Sequence, residues 1–238
     1  MNNIPISNKI PELDLAIKAA QEAGNTILKI YEKGFKTFTK TDNSPVTDAD
    51  LQSNKIIKEI LSVTKHSILS EEDVDDKNRL SNDMVWIIDP LDGTSDFIDK
   101  TGEFTVMIAL IENQKPILGV IAWPTEKTLF VAQKNCGAFR YSDNKWEKIS
   151  VTKISELPKC RTIGSRHHLS DKEKDFIEKI GIKDFTSIGS SLKVGKISSG
   201  QAEVYITTTN KMKEWDTAAS HCIISEAGGK MTDMLGNE

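Results

Sequence analysis

The 238-residue chain contains no block rich in lysine and arginine, and its formal charge is −4. Without a concentrated cationic surface it has no means of gripping a nucleic-acid backbone, which argues against a DNA or RNA partner. A small phosphorylated ligand stays open. No stretch is long and apolar enough to span a bilayer. The opening MNNIPISNKIPELDLAIKAA has no basic start followed by an apolar run, so no signal peptide is expected. Cysteine is scarce: Cys136, Cys160 and Cys222 are isolated, odd in number and lack metal-ligand spacing. That argues against a disulfide framework or a zinc site and points to a reducing compartment, with the cytoplasm as the default. Nothing in the sequence fixes an oligomeric state.

What is present suits one α/β domain or two small lobes sharing a core, with 38% hydrophobic and 28% charged residues. Leu13, Ala16, Ile17, Ala20, Ala23, Ile27 and Ile30 recur at helical spacing, and Gly34 is expected to end that helix. Thr47-Asp48-Ala49-Asp50 has the form of a capping box opening a second helix. HSIL and MVWII read as strands that end in acid, with Pro90 expected to stop the second. FTVMIALI, PILGVIAW and TLFVA follow with turn residues between them, which predicts antiparallel hairpins. Several of these strands are apolar on both faces and so need helices on either side. Beyond residue 150 the rhythm changes. Ser170 with Glu173 opens a helix, GSSLKVGKISSG looks helical, QAEVYI looks like a strand, and WDTAASHCIISEAGG is a helix closed by Gly228-Gly229. A soft boundary is therefore expected near residue 150, between lobes 1–150 and 151–238.

The segment MVWIIDPLDGTSDF, residues 84–97, places Asp89 and Asp92 where a strand turns. Aspartates are common in turns. Here, however, the strand is too apolar to be an exposed edge, and two carboxylates this close repel unless a cation or proton lies between them. Gly93-Thr94 adds a flexible backbone and a hydroxyl at an expected helix N-terminus, a natural phosphate seat. Glu71-Glu72-Asp73 ends another strand, and Asp216 stands at a helix start after Trp215. Taken singly these read as a solvated charge run and a helix cap. Their shared placement at the ends of elements lets them converge on one cleft. Oxygen ligands without histidine or cysteine favour Mg²⁺.

LSEED, DPLDGTSDF and EWDTAASHCIISEAGG, in this order, resemble the metal motifs of the inositol monophosphatase superfamily of Mg²⁺-dependent, lithium-sensitive phosphatases. More narrowly, DNSPVTDAD, GEFTV, SRHH, TSIGSSLK and GQAEVY resemble its bacterial 3′(2′),5′-bisphosphate nucleotidase branch. The resemblance implies a layered α-β-α-β-α sandwich and removal of the 3′-phosphate from adenosine 3′,5′-bisphosphate, leaving AMP. It further implies two or three Mg²⁺ held by Glu71, Asp89, the Leu91 carbonyl, Asp92 and Asp216. Gly93 and Thr94 would lie against the phosphate. Asp50 and Thr94 would orient and deprotonate the attacking water. From local sequence alone, Asp50 reads as the partner in its helix cap.

On the substrate side the resemblance implies contacts from His168, Ser190 and Lys193. Without it, His168 reads as a surface histidine and Lys193 as a lysine on a solvated helix face. One position departs from the pattern. Where relatives carry an arginine soon after the tyrosine, this chain has Tyr205-Ile206-Thr207-Thr208-Thr209-Asn210, with Lys211 and Lys213 as the nearest cations. That leaves an inositol-phosphate or sugar-phosphate phosphatase, or a catalytically silent phosphate-binding protein, as alternatives. Relatives also continue through a further helix and strand after LGNE.

Overall fold

The computed structural model describes residues 4–210 and 212–237. Helix α1 (Pro11–Lys33) opens on a proline in its first turn and ends at Gly34, whose φ is +101°. A short hairpin, β1 (Thr37–Thr39) and β2 (Pro45–Thr47), leads into α2 (Asp48–Leu61), which begins at the predicted capping box. Then come β3 (Ser67–Ser70) and β4 (Met84–Asp92), paired in parallel. The five-residue α3 (Thr94–Ile98) leads to four strands: β5 (Thr105–Glu112), β6 (Lys115–Trp123), β7 (Thr128–Gln133) and β8 (Gly137–Ser142). With β9 (Lys145–Ile149) these form a seven-stranded sheet in the order β3-β4-β5-β6-β7-β8-β9, antiparallel from β4 onward.

The chain then builds a second sheet of three parallel strands, ordered β11-β10-β12, from β10 (Arg161–Ser165), β11 (Asp184–Ile188) and β12 (Val204–Tyr205). Three helices accompany it: α4 (Asp171–Lys179), α5 (Leu192–Ser198) and α6 (Glu214–Glu226).

Side-chain alternation explains the layers. Trp86, Ile88, Val106 and Ile108 pack with α1 and α2, while Val85, Ile87, Met107 and Ala109 pack with Ala219, Ile223 and Ile224 of α6. A third cluster, Ile163, Ile188 and Leu192, joins the small sheet to α5, and a fourth, Cys160, Ile177 and Ile182, backs that sheet with α4. The result is an α-β-α-β-α sandwich whose central helices serve both sheets. Helix α6 follows the small sheet in sequence yet packs on the large one, so residues after 150 help cover the sheet built before it. No helix among the described residues is long and apolar enough to cross a membrane.

Several expectations need correction. Pro90 does not stop β4, which runs on to Asp92. QAEVYI yields only a two-residue strand, since the chain soon leaves the β10 edge. Helix α6 starts at Glu214, two residues before Asp216, and Gly228-Gly229 close it as expected: Gly228, at φ +86°, donates to the Ser225 carbonyl and Gly229 to that of Ile224.

Candidate active site

Asp89 pairs with Met107 and Asp92 with Thr105, so β4 spends three residue steps where β5 spends two. This is a β-bulge at Pro90-Leu91, tolerated because proline has no N–H to give to a ladder. In an unbroken strand, residues three apart point to opposite faces. The extra residue cancels that alternation. Asp89 and Asp92 come to one side, and Leu91 is buried among the α1–α2 core. Ser53 of α2 holds the bulge by donating to the Pro90 carbonyl at 2.7 Å.

Asp216 enters from α6. Its Oδ2 accepts the Lys213 N–H at 2.5 Å, and carboxylate oxygens of Asp89, Asp92 and Asp216 lie within 4.8 Å of one another. The charges are unhappy together. Burial, then the neighbouring Glu71, Asp92 and Asp216, pushes Asp89 well above the usual carboxylate range. Burial and then Asp92 push Asp216 up to about 7. Burial also raises Asp92, against the pull of Lys193 and the Ser191 N–H. A divalent cation relieves such a cluster, and a donor set made only of hard oxygens fits Mg²⁺ or a similar ion.

Glu71 borders this triad, close enough to Asp89 to raise its pKa, and is itself paired with Lys40 at 2.9 Å. Lys40 also reaches Glu72 at 2.7 Å. Lys40 could not be picked out from the residues alone, because nothing local places the β1–β2 turn over a strand end that follows α2. Asp50 is the partner in its helix cap and at the same time bonds Thr94, which lines the cavity described below. Its Oδ2 accepts the Thr47 N–H at 2.8 Å, and its Oδ1 accepts the Thr94 hydroxyl at 3.1 Å. Burial raises its pKa, against the hydrogen bonds from Thr47 and Thr94.

Beside the acids lies a cavity of about 280 Å³ lined by Glu71, Asp92, Gly93, Thr94 and Asp216, and also by His168, Ser190 and Lys193. Ten of the predicted site residues therefore face it or adjoin it, and Leu91 contributes only backbone, its carbonyl lying 3.3 Å from the Thr94 hydroxyl. Gly93 has φ +91°, and a Cβ there would meet Ser190 Cβ at 3.0 Å. Only glycine lets the two halves of the site approach so closely. Lys193 is not on a solvated face. It is 8% exposed, with Nζ 2.5 Å from the Ser190 carbonyl and 5.4 Å from the Tyr205 ring centre. Burial lowers its pKa, opposed chiefly by Asp92. His168 is exposed at the rim, and its N–H donates to Ser165 Oγ at 3.2 Å. Thr207 and Thr209 line the wall where an arginine was missed, and Lys211 lies outside the described residues.

Two more residues, Thr105 and Ser191, had no role in the sequence reading. The Thr105 hydroxyl donates to Asp92 Oδ2 at 3.1 Å and lies 2.7 Å from Ser191 Oγ, while the Ser191 N–H donates to the same Asp92 oxygen. Thr105 was in view only within an apolar strand and the motif GEFTV, with no role attached; its place opposite Asp92 is the register's doing.

Residues 10–238 match the Inositol monophosphatase family. The chain belongs to this family. Among its relatives is the 3′(2′),5′-bisphosphate nucleotidase CysQ of Shigella flexneri, 36% identical over 94% of this chain and 91% of that protein. Two family structures are similar throughout. CysQ from Bacteroides thetaiotaomicron has a TM-score of 0.79 at 36% identity, covering 91% of this chain and 86% of that one. The Thermotoga maritima IMPase has a TM-score of 0.84 at 28% identity, covering 96% and 88%.

Proposed function

We propose that this chain is a 3′(2′),5′-bisphosphate nucleotidase that hydrolyses the 3′-phosphate of adenosine 3′,5′-bisphosphate, giving AMP and phosphate. The observation that carries the reading is the single cavity on which the Asp89–Asp92–Asp216 cluster, the Asp50–Thr94 pair and the Ser190–Lys193 segment all border. The likeness to nucleotidases named CysQ supports the choice of substrate.

In this reading Glu71, Asp89, the Leu91 carbonyl, Asp92 and Asp216 hold two or three Mg²⁺. When bound, the ions supply neutralising charge to the phosphate and lower the pKa of a water. The residues do the rest. Thr94 donates to Asp50, which leaves its oxygen free to accept a proton from a water held at the phosphate. As that proton moves to Thr94, the Thr94 proton passes to Asp50, whose raised pKa suits it to receive one. The water oxygen bonds to phosphorus as the P–O bond to the ribose breaks, and the departing 3′-oxygen takes that electron pair and a proton from solvent to become the hydroxyl of AMP. Gly93 and Thr94 sit against the phosphate, and Lys193, with Ser190 and His168, serves the nucleotide side, where a buried cation suits a second phosphate.

Absence of an arginine between Tyr205 and Asn210 favours a second reading, an inositol-phosphate or sugar-phosphate phosphatase on the same carboxylates. Phosphate release from adenosine 3′,5′-bisphosphate, inositol 1-phosphate and fructose 1,6-bisphosphate, with and without Mg²⁺, decides between them. No release from any of the three would leave a silent phosphate-binding protein. Inhibition by millimolar Li⁺, uncompetitive or noncompetitive with substrate, is expected. The three cysteines are unpaired, which supports a reducing compartment, and we place the protein in the cytoplasm.

A further inference from the structure

GEFTV, SRHH and TSIGSSLK meet on one flank of the acidic triad, where Thr105 and Ser191 touch Asp92. Arg166, in the turn after β10, places Nη2 2.5 Å from Glu103 Oε2 and Nε 3.2 Å from Asp96 Oδ1. The same Glu103 oxygen accepts the Gly189 N–H at 2.6 Å. Asp96 is 2% exposed, takes the Thr101 hydroxyl at 3.0 Å, and has His167 Nε2 3.4 Å away. A Cβ at Gly189 would run into the Asp96 carboxylate, so this turn is packed directly on the charge cluster.

At the other end of the turn, the Ser191 N–H donates to Asp92. Ser190, between these anchors, has φ +47°, a left-handed conformation that serine keeps only where its surroundings impose it. The turn that presents Ser190 to the cavity is thus pinned by two carboxylates. One belongs to the acidic triad, and the other is held by Arg166.

We infer that Arg166 and Glu103 are a positioning pair that sets the Gly189–Ser191 turn, and through Ser190 determines specificity for the part of the substrate remote from the transferred phosphate. Arg166 is absent from the cavity lining, whereas its neighbours Ser165, His167 and His168 belong to it, so its action is indirect. A guanidinium suits the task because its planar fork spans two carboxylates at once, which an ammonium does not. The inference rests on the nucleotidase reading.

The test compares Arg166→Gln, Glu103→Gln, the double variant and Arg166→Lys, after checking that each is folded by circular dichroism and thermal melting. Substrates are adenosine 3′,5′-bisphosphate and p-nitrophenyl phosphate, which has no nucleoside. Each single variant should raise KM for the bisphosphate about tenfold with kcat within about threefold of wild type. KM for p-nitrophenyl phosphate should barely move. The double variant should lose no more than either single one, because the two residues act as a unit, and Arg166→Lys should recover part of the loss. Equal losses on both substrates, additive losses in the double variant, or an unchanged KM in folded Arg166→Gln would each overturn the inference alone. A wild type that does not prefer the bisphosphate over inositol 1-phosphate would sink the nucleotidase reading and this inference with it.

Discussion

Thr94 Oγ1 lies 3.1 Å from Asp50 Oδ1, while the other oxygen of the same carboxylate accepts both the N–H and the hydroxyl of Thr47. One aspartate therefore starts a helix and orients a hydroxyl at the cavity. The two jobs separate by substitution. Thr94→Val removes only the hydroxyl at the cavity and should lower kcat by roughly 10²–10⁴-fold, the range of a lost acid–base group, with little change in melting temperature. Thr94→Ser should keep most of the activity. Asp50→Ala should lose activity and also about 1 kcal/mol of stability through the cap. A Thr94→Val enzyme as active as wild type would remove Thr94 from the proton path.

Asp92→Asn should abolish turnover yet leave the fold intact, since an amide oxygen still accepts from Ser191 and Thr105. By taking one charge from a repelling group, it should also raise the melting temperature of the metal-free protein. Near wild-type activity at saturating Mg²⁺ would refute the ligand role.

The same repulsion predicts a pH dependence. Asp216 is lifted from 3.8 to about 7, and Asp89 is raised as well. Between these limits the folded protein holds protons that the unfolded chain has released. Stability is therefore greatest at the acid end of the window and falls as pH rises through it to about 7. Melting measured in chelator should give a lower midpoint at pH 8 than at pH 5, and added Mg²⁺ should erase the difference. A flat or rising chelated profile would contradict the buried-charge picture.

Lys193 bonds the Ser190 carbonyl and faces Asp92. Lys193→Met keeps the bulk and removes the charge. If the ammonium serves the 5′-phosphate, kcat/KM for adenosine 3′,5′-bisphosphate should fall roughly ten- to a hundredfold, and that for 3′-AMP far less. Comparable losses on the two substrates would mean that Lys193 merely balances the acidic triad.

Most helices, the strands from β3 to β7 and the identity of the acids are legible in the residues alone. Apolar periodicity marked α1 and α2, Thr47 and Ser170 marked helix starts, and turn residues separated β5, β6 and β7. Strands β8 to β11 were not legible, since GAFRYS, KWEKI and DFTSI mix polar and apolar residues and gain their order from neighbours in the sheets. How the acids meet depends on strand pairing rather than on local sequence. Asp89 and Asp92 are three residues apart, a spacing that in a regular strand sends them to opposite faces. Pairing with Met107 and Thr105 forces one extra residue into β4 and turns both carboxylates toward α6 and Asp216. No local preference of Asp-Pro-Leu-Asp specifies that register; the neighbouring strand imposes it.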